Sequence, residues 1–151
     1  MIDYPIEQRN TGKGVPGLVY RFNKPLTNRQ QKLLDALQNN GDYTVLDSPV
    51  SMIDLSALTA KTGVEFALFS KGIESLVVRG YADFVDIDVN EAKRLANDGW
   101  RWSGHTHPGD DRWCLSPSAG DEAVLACFEQ TQSVIYNSVG QFETFKGRSH
   151  Q

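Results

Sequence analysis

The run Gly99-Trp100-Arg101-Trp102-Ser103-Gly104-His105-Thr106-His107-Pro108 lies between two helix signals. Upstream, Asn90 is placed to cap a helix through Asn97, and Gly99 ends it. Downstream, a polar loop leads to Ser118, which caps another helix expected to reach about Gln130. Between them Trp100–Thr106 reads as a strand that finishes in His-Thr-His-Pro. A strand bracketed by helices points to an α/β protein.

Further upstream, Val64–Ser70, Ser75–Arg79 and Tyr81–Asp88 are rich in β-branched and aromatic residues and are divided by Lys71-Gly72 and Gly80. They predict an antiparallel meander. Two capped helices come before it. Thr27 with Gln30, and Ser51 with Asp54, have capping-box spacing, and Asn39-Asn40-Gly41 and Gly63 are the corresponding stops. After the last helix, Ser133–Asn137 and Phe142–Lys146 predict two strands joined by a turn at Gly140. The expected fold is a single-domain α/β sandwich with a mixed, largely antiparallel sheet flanked by helices. Residues 1–25, with Gly12, Gly14, Pro16, Gly17 and Pro25, read as an irregular N-terminal segment. The domain is expected over 26–146, with a frayed tail at 147–151.

The length of 151 residues suits one domain that buries a core without disulfides or structural metal. A bound metal would therefore serve function before architecture. Nineteen acidic against fifteen basic residues leave a net charge of −4 with no basic block, which argues against a nucleic-acid or anionic-membrane surface. The longest apolar stretches, Val64–Phe69 (broken by Glu65) and Ala123–Phe128, fall far short of the ~20 residues that span a bilayer. No signal-peptide pattern opens the chain. Cys114 and Cys127 make no disulfide framework and favour a reducing compartment. A soluble, cytoplasmic protein is expected, or one exported under an address carried elsewhere.

His105 and His107 stand two apart on a strand, so their imidazoles share a face. Zinc takes such nitrogens at ~2.0–2.1 Å in tetrahedral geometry. Pro108 turns the chain outward, and Asp121, in the first turn of the next helix, is placed to return as a third ligand. Two histidines and a carboxylate leave a fourth position open, as in hydrolytic zinc sites. Each residue also has a plainer reading. A His-x-His at a strand end is often merely polar, and Ser118 with Asp121 is itself a capping box. The combination outweighs the parts.

These residues resemble the signature of the JAMM (MPN-plus, or JAB) metalloproteases: a distant glutamate, His-x-His-Pro, a loop, and Ser-x-x-Asp. The resemblance spans roughly residues 52 to 137. It implies an MPN-like fold, Zn2+ held by His105, His107 and Asp121, a Ser118 hydroxyl that steadies the tetrahedral intermediate, and a general base on an early strand. Glu65 in Gly63-Val64-Glu65-Phe66-Ala67-Leu68-Phe69 fits that last place. Independently of the family, Glu65 shares a strand face with Ala67 and Phe69, an unsuitable setting for a solvated carboxylate. The implied reaction is hydrolysis of peptide or isopeptide bonds in a polypeptide substrate, ubiquitin-like conjugates included.

The loop from Pro108 to Pro117 is longer than the family's usual one. Choosing Ser116 shortens it but puts Ala119 where the aspartate belongs, so Ser118 and Asp121 are preferred. Asp110 and Asp111 are alternative ligands, Cys114 an alternative thiolate, and Glu74 an alternative base in a turn. Asp86 and Asp88 read as a solvated strand face or as cleft residues, with Asp83 on the opposite face. Trp113 is expected to pack the loop or touch substrate, and Trp100 and Trp102 to join the core. Gly99–Pro108 and Ser133–Ser138 further resemble JAB-type domains at the C-terminal ends of bacterial polymorphic toxins, implying delivery within a larger secreted protein and a cognate immunity partner. The alternative of another class is a catalytically silent MPN-type interaction domain, which loss of the glutamate or a ligand would betray. A nucleobase deaminase needs His-x-Glu and Pro-Cys-x-x-Cys. This chain has neither.

Overall fold

Side-chain oxygens start every helix. In the computed structural model, which describes residues 6–8, 20–22 and 26–147, Thr27 opens α1 (Asn28–Asp35) and Ser51 opens α2 (Met52–Thr62), each with a complete capping box. Asp88 opens α3 (Val89–Asn97) and Ser118, again with a capping box, opens α4 (Ala119–Ala126). Asn90 is therefore not the cap of α3. The Asp88 carboxylate accepts the Glu91 N–H at 2.9 Å, which places Asn90 inside the first turn.

The strands form two sheets. β1 (Ile6–Gln8) and β2 (Tyr20–Phe22) pair antiparallel, so the N-terminal segment is not wholly irregular as expected. Three-residue strands are too short to show a periodicity within a Gly- and Pro-rich stretch. The main sheet has the order β3 (Tyr43–Leu46), β5 (Glu74–Arg79), β4 (Phe66–Lys71), β6 (Arg101–Thr106), β7 (Gln132–Tyr136) and β8 (Phe142–Lys146). All neighbours are antiparallel except β6 and β7, which α4 joins as a crossover. The described chain is thus mixed α/β with a six-stranded mixed sheet. The expected tail lies outside the described residues beyond Gly147.

The expected meander loses its third strand. Tyr81–Asp88 is irregular because β3 already occupies the free edge of β5, and β4 lies between β5 and β6. The segment instead turns back, with Tyr81 N–H donating to Phe84 O at 2.7 Å. It crosses over one sheet face, where Val85 and Ile87 pack on the core.

Alternation along β4 sorts the helices into layers. Phe66 and Leu68 pack with Leu33, Leu37, Leu55 and Leu58 of the α1–α2 side. Ala67 and Phe69 pack with Ala92, Leu95 and Leu125 of the α3–α4 side. Gly104 lets α2 approach β6. A Cβ there would stand 2.8 Å from Val134 Cγ1, 2.9 Å from Met52 Sδ and 3.0 Å from Val134 O. Gly104→Ala is expected to cost about 1–3 kcal/mol in a denaturant titration, as overpacking does. Wild-type stability would mean that α2 shifts freely. No helix among the described residues is long and apolar enough to cross a membrane.

Candidate functional site

The imidazoles emerge where β6 runs out. His105 sits opposite Ala67 of β4, and His107 continues past the strand end with its N–H on Tyr136 O at 2.9 Å. Thr106 between them faces away, accepting the Phe66 N–H at 2.9 Å and meeting the Thr59 hydroxyl of α2. The histidines consequently share the α3–α4 face.

A bulge sets what lies beneath them. The β4–β6 register pairs Phe69 with Trp102 and Leu68 with Gly104, leaving Ser103 as the extra residue. Simple alternation would send Trp102 and His105 to opposite faces. The bulge restores them to one face, where their rings stack at 4.9 Å between centroids. Gln130 holds this irregular backbone: its Oε1 accepts the Trp102 N–H at 2.7 Å and its Nε2 donates to Trp102 O at 2.9 Å. That role explains why α4 ends at Ala126 and not near Gln130 as expected. Glu129 adopts a left-handed backbone (φ 53°) and frees Gln130 to reach β6.

Asp121 arrives at the third position of α4. Its Oδ2 accepts the Ser118 N–H at 2.9 Å and lies 3.2 Å from His105 Nε2 and 3.3 Å from His107 Nε2. The two Nε2 atoms are 3.1 Å apart. These three edges approximate the ligand–ligand edge of about 3.3 Å that tetrahedral coordination at ~2.0–2.1 Å requires. Protonation makes the same point. His107 Nδ1 is 2.6 Å from Cys114 O, a pure acceptor, so that nitrogen carries the hydrogen and a neutral ring turns its Nε2 lone pair inward. With both rings neutral, only His105 Nε2 can carry a proton into the group, and His107 Nε2 and Asp121 Oδ2 both face it as acceptors. A cation satisfies all three at once. The residues fit a metal ion.

Glu65 completes the group. It stands one residue before β4, not inside it, but its backbone extends the ladder through the Tyr81 O and Gly80 N–H bonds at 2.8 and 2.7 Å. Its carboxylate lies on the Ala67–Phe69 face, 3.8 Å from His107 Nε2. Ligand atoms of Glu65, His105 and His107 all fall within 4.8 Å of one another, so a Glu-His-His set competes with the His-His-Asp set. The shorter, nearly equal edges favour Asp121 as the ligand and leave Glu65 adjacent.

Burial and charge tune each group. Loss of water pushes the Glu65 carboxyl up to about 8; His107 opposes the shift, and Asp121 and Asp83 add to it. Burial also lowers His105 below an ordinary imidazole against the pull of Asp121. In His107 the same burial penalty is overcome by its hydrogen bond to Asp121 and the Glu65 charge, so its pKa rises. Burial would raise Asp121, but its bonds to both imidazoles hold its carboxyl well below the usual range.

All four side chains line one cleft of about 590 Å³, together with Ser118. Ser118 Oγ accepts the Asp121 N–H at 3.0 Å, so its O–H is not used by the cap. The rival residues are engaged in other contacts. Asp111 Oδ1 caps a short 3-10 turn, Arg112–Leu115, through the Trp113 N–H at 2.9 Å. Cys114 offers its carbonyl to His107, while its sulfur faces Asp111 Oδ1 at 3.5 Å. Glu74 begins β5 opposite Lys71. Asp83 and Asp88, on no strand, both reach the cleft, whereas Asp86 is simply exposed. Trp100 and Trp102 are buried as expected.

The roles of Cys114 O, Gln130 and the Trp102 stack carry no sequence motif, because each depends on a bulge or a backbone atom. No family model matches the chain, and no curated protein or solved structure matches it either.

Proposed function

We propose that this protein is a zinc-dependent hydrolase of the JAMM type that cleaves peptide or isopeptide bonds. The observation that carries the reading is the triangle of His105 Nε2, His107 Nε2 and Asp121 Oδ2 with a buried carboxyl, Glu65, beside it. The order of elements, a helix, the Glu65 segment, the His-x-His strand and the Asp121 helix, agrees with the family resemblance. His105, His107 and Asp121 would hold the ion. When bound, zinc supplies Lewis acidity that polarises the scissile carbonyl and acidifies water.

The chain's own residues do the rest. Glu65 takes a proton from the attacking water, the water oxygen bonds to the carbonyl carbon, and Glu65 returns that proton to the leaving nitrogen as the C–N bond breaks. The Ser118 hydroxyl donates to the oxygen on which charge develops. The Trp102 stack and the Cys114 carbonyl keep the two imidazoles oriented, as partners behind metal-binding histidines do. The resemblance of the Gly99–Pro108 and Ser133–Ser138 runs extends the proposal to a bacterial effector domain restrained by an immunity partner.

Elemental analysis of protein dialysed against zinc is expected to find one zinc per chain. Zinc at 100 times its dissociation constant should stabilise the chelated protein by about 2.7 kcal/mol. Absence of bound zinc, with no shift in the unfolding midpoint, would overturn the reading.

A further inference from the structure

We propose that the mouth of the cleft selects a polypeptide with an apolar side chain beside the scissile amide and a lysine or arginine next to it. The inference rests on the hydrolase reading above and names its substrate class. Trp113 is 79% exposed while the other two tryptophans are buried, and Phe84 is 49% exposed; both line the cleft that holds Glu65. Water-exposed aromatic surface at a pocket mouth is free to bury against an apolar partner.

The Phe84 ring and the Trp113 backbone are both held in place. Phe84 stacks on Tyr81 at 4.7 Å between centroids. Trp113 stands on the 3-10 turn that Asp111 caps, with Cys114 and Leu115 buried directly after it and Arg112 paired to Glu143 at 3.6 Å. A ring already stacked, as Phe84 is on Tyr81, loses less entropy on binding than a free one. The turn that presents Trp113 is also the one whose Cys114 carbonyl orients His107. Substrate contact and imidazole position are thereby built on one pedestal.

Charge specifies the neighbour. Asp83 and Asp88 line the same cleft, and no lysine or arginine does among the described residues. Asp88 spends one oxygen on the Glu91 N–H at 2.9 Å and has a second to offer. An ammonium or guanidinium group meets attraction there, and an acidic side chain meets repulsion.

The test uses fluorescently labelled peptides containing Leu-Lys, Leu-Glu or Ala-Lys, followed by anisotropy on chelated protein and by product mass spectrometry on the zinc form. Leu-Lys peptides are expected to bind about ten-fold more tightly than Ala-Lys, as burial of a leucine side chain allows, and more tightly than Leu-Glu, whose acid meets Asp83 and Asp88. Trp113→Ala and Phe84→Ala should abolish the leucine preference. Asp83→Asn with Asp88→Asn should abolish the lysine preference, and that preference should weaken with salt. Equal binding of all three peptides, or a preference untouched by these variants, overturns the selection. Discrimination by the chelated protein with no cleavage by the zinc form would sink the hydrolase reading alone, and cleavage without discrimination would sink the selection alone.

Discussion

Glu65→Gln is expected to keep one zinc per chain and to lose turnover by roughly 10²–10⁴-fold, the usual worth of a positioned acid–base group. The amide retains the shape of the carboxyl and leaves in place His105, His107 and Asp121, whose edges are shorter than the 3.8 Å from Glu65 to His107. Normal hydrolysis by this variant would remove Glu65 from the mechanism. A second readout needs no substrate. In chelated protein the Glu65 carboxyl is raised from 4.5 to about 8, principally because it is buried. Below about pH 4.5 it is protonated whether the chain is folded or not. As pH rises toward 8 the unfolded chain gives up this proton and the folded chain keeps it, so stability falls across that window and levels off above it. Glutamine does not titrate. Chelated Glu65→Gln should therefore exceed chelated wild type in stability at pH 8 by up to a few kcal/mol, with the gap closing toward pH 4.5. Parallel pH profiles for the two proteins would mean that Glu65 is solvated.

The burial of that carboxyl is legible in the sequence because its signal is local. Glu65, Ala67 and Phe69 alternate onto one face whatever the strand pairs with, and the three capping boxes are decided within four residues. His105 and His107 owe their shared face to the same period. Long-range competition was not legible. Tyr81–Asp88 has the composition of a strand, but a strand also needs a vacant edge, and the short Tyr43–Leu46 segment takes the one on β5. The stack of Trp102 on His105 is hidden for a related reason. The two residues are three apart, and only the bulge at Ser103, held from outside the strand by Gln130, puts them on one face. Asp121 lies between these cases. Its place in a capping box follows from spacing, while its approach to the imidazoles depends on how α4 crosses from β6 to β7.

That dual role allows the ligand assignment to be separated from simple helix capping. Asp121→Asn leaves an amide oxygen able to accept the Ser118 N–H, so α4 should keep its start and the fold its stability to within about 1 kcal/mol. It removes the negative charge that both imidazoles face at 3.2 and 3.3 Å. Zinc affinity should then fall by more than the ~10–100-fold that loss of an outer partner costs, since a direct ligand is lost. Asp110→Asn and Asp111→Asn should each bind zinc as wild type does, because Asp111 is engaged with the Trp113 N–H and neither carboxylate is paired with the imidazoles. Competition against a chromophoric chelator measures all three. Were Asp121→Asn to bind zinc normally, the Glu-His-His set would become the metal site. Glu65 could not then be a free base, and the mechanism would need another proton acceptor.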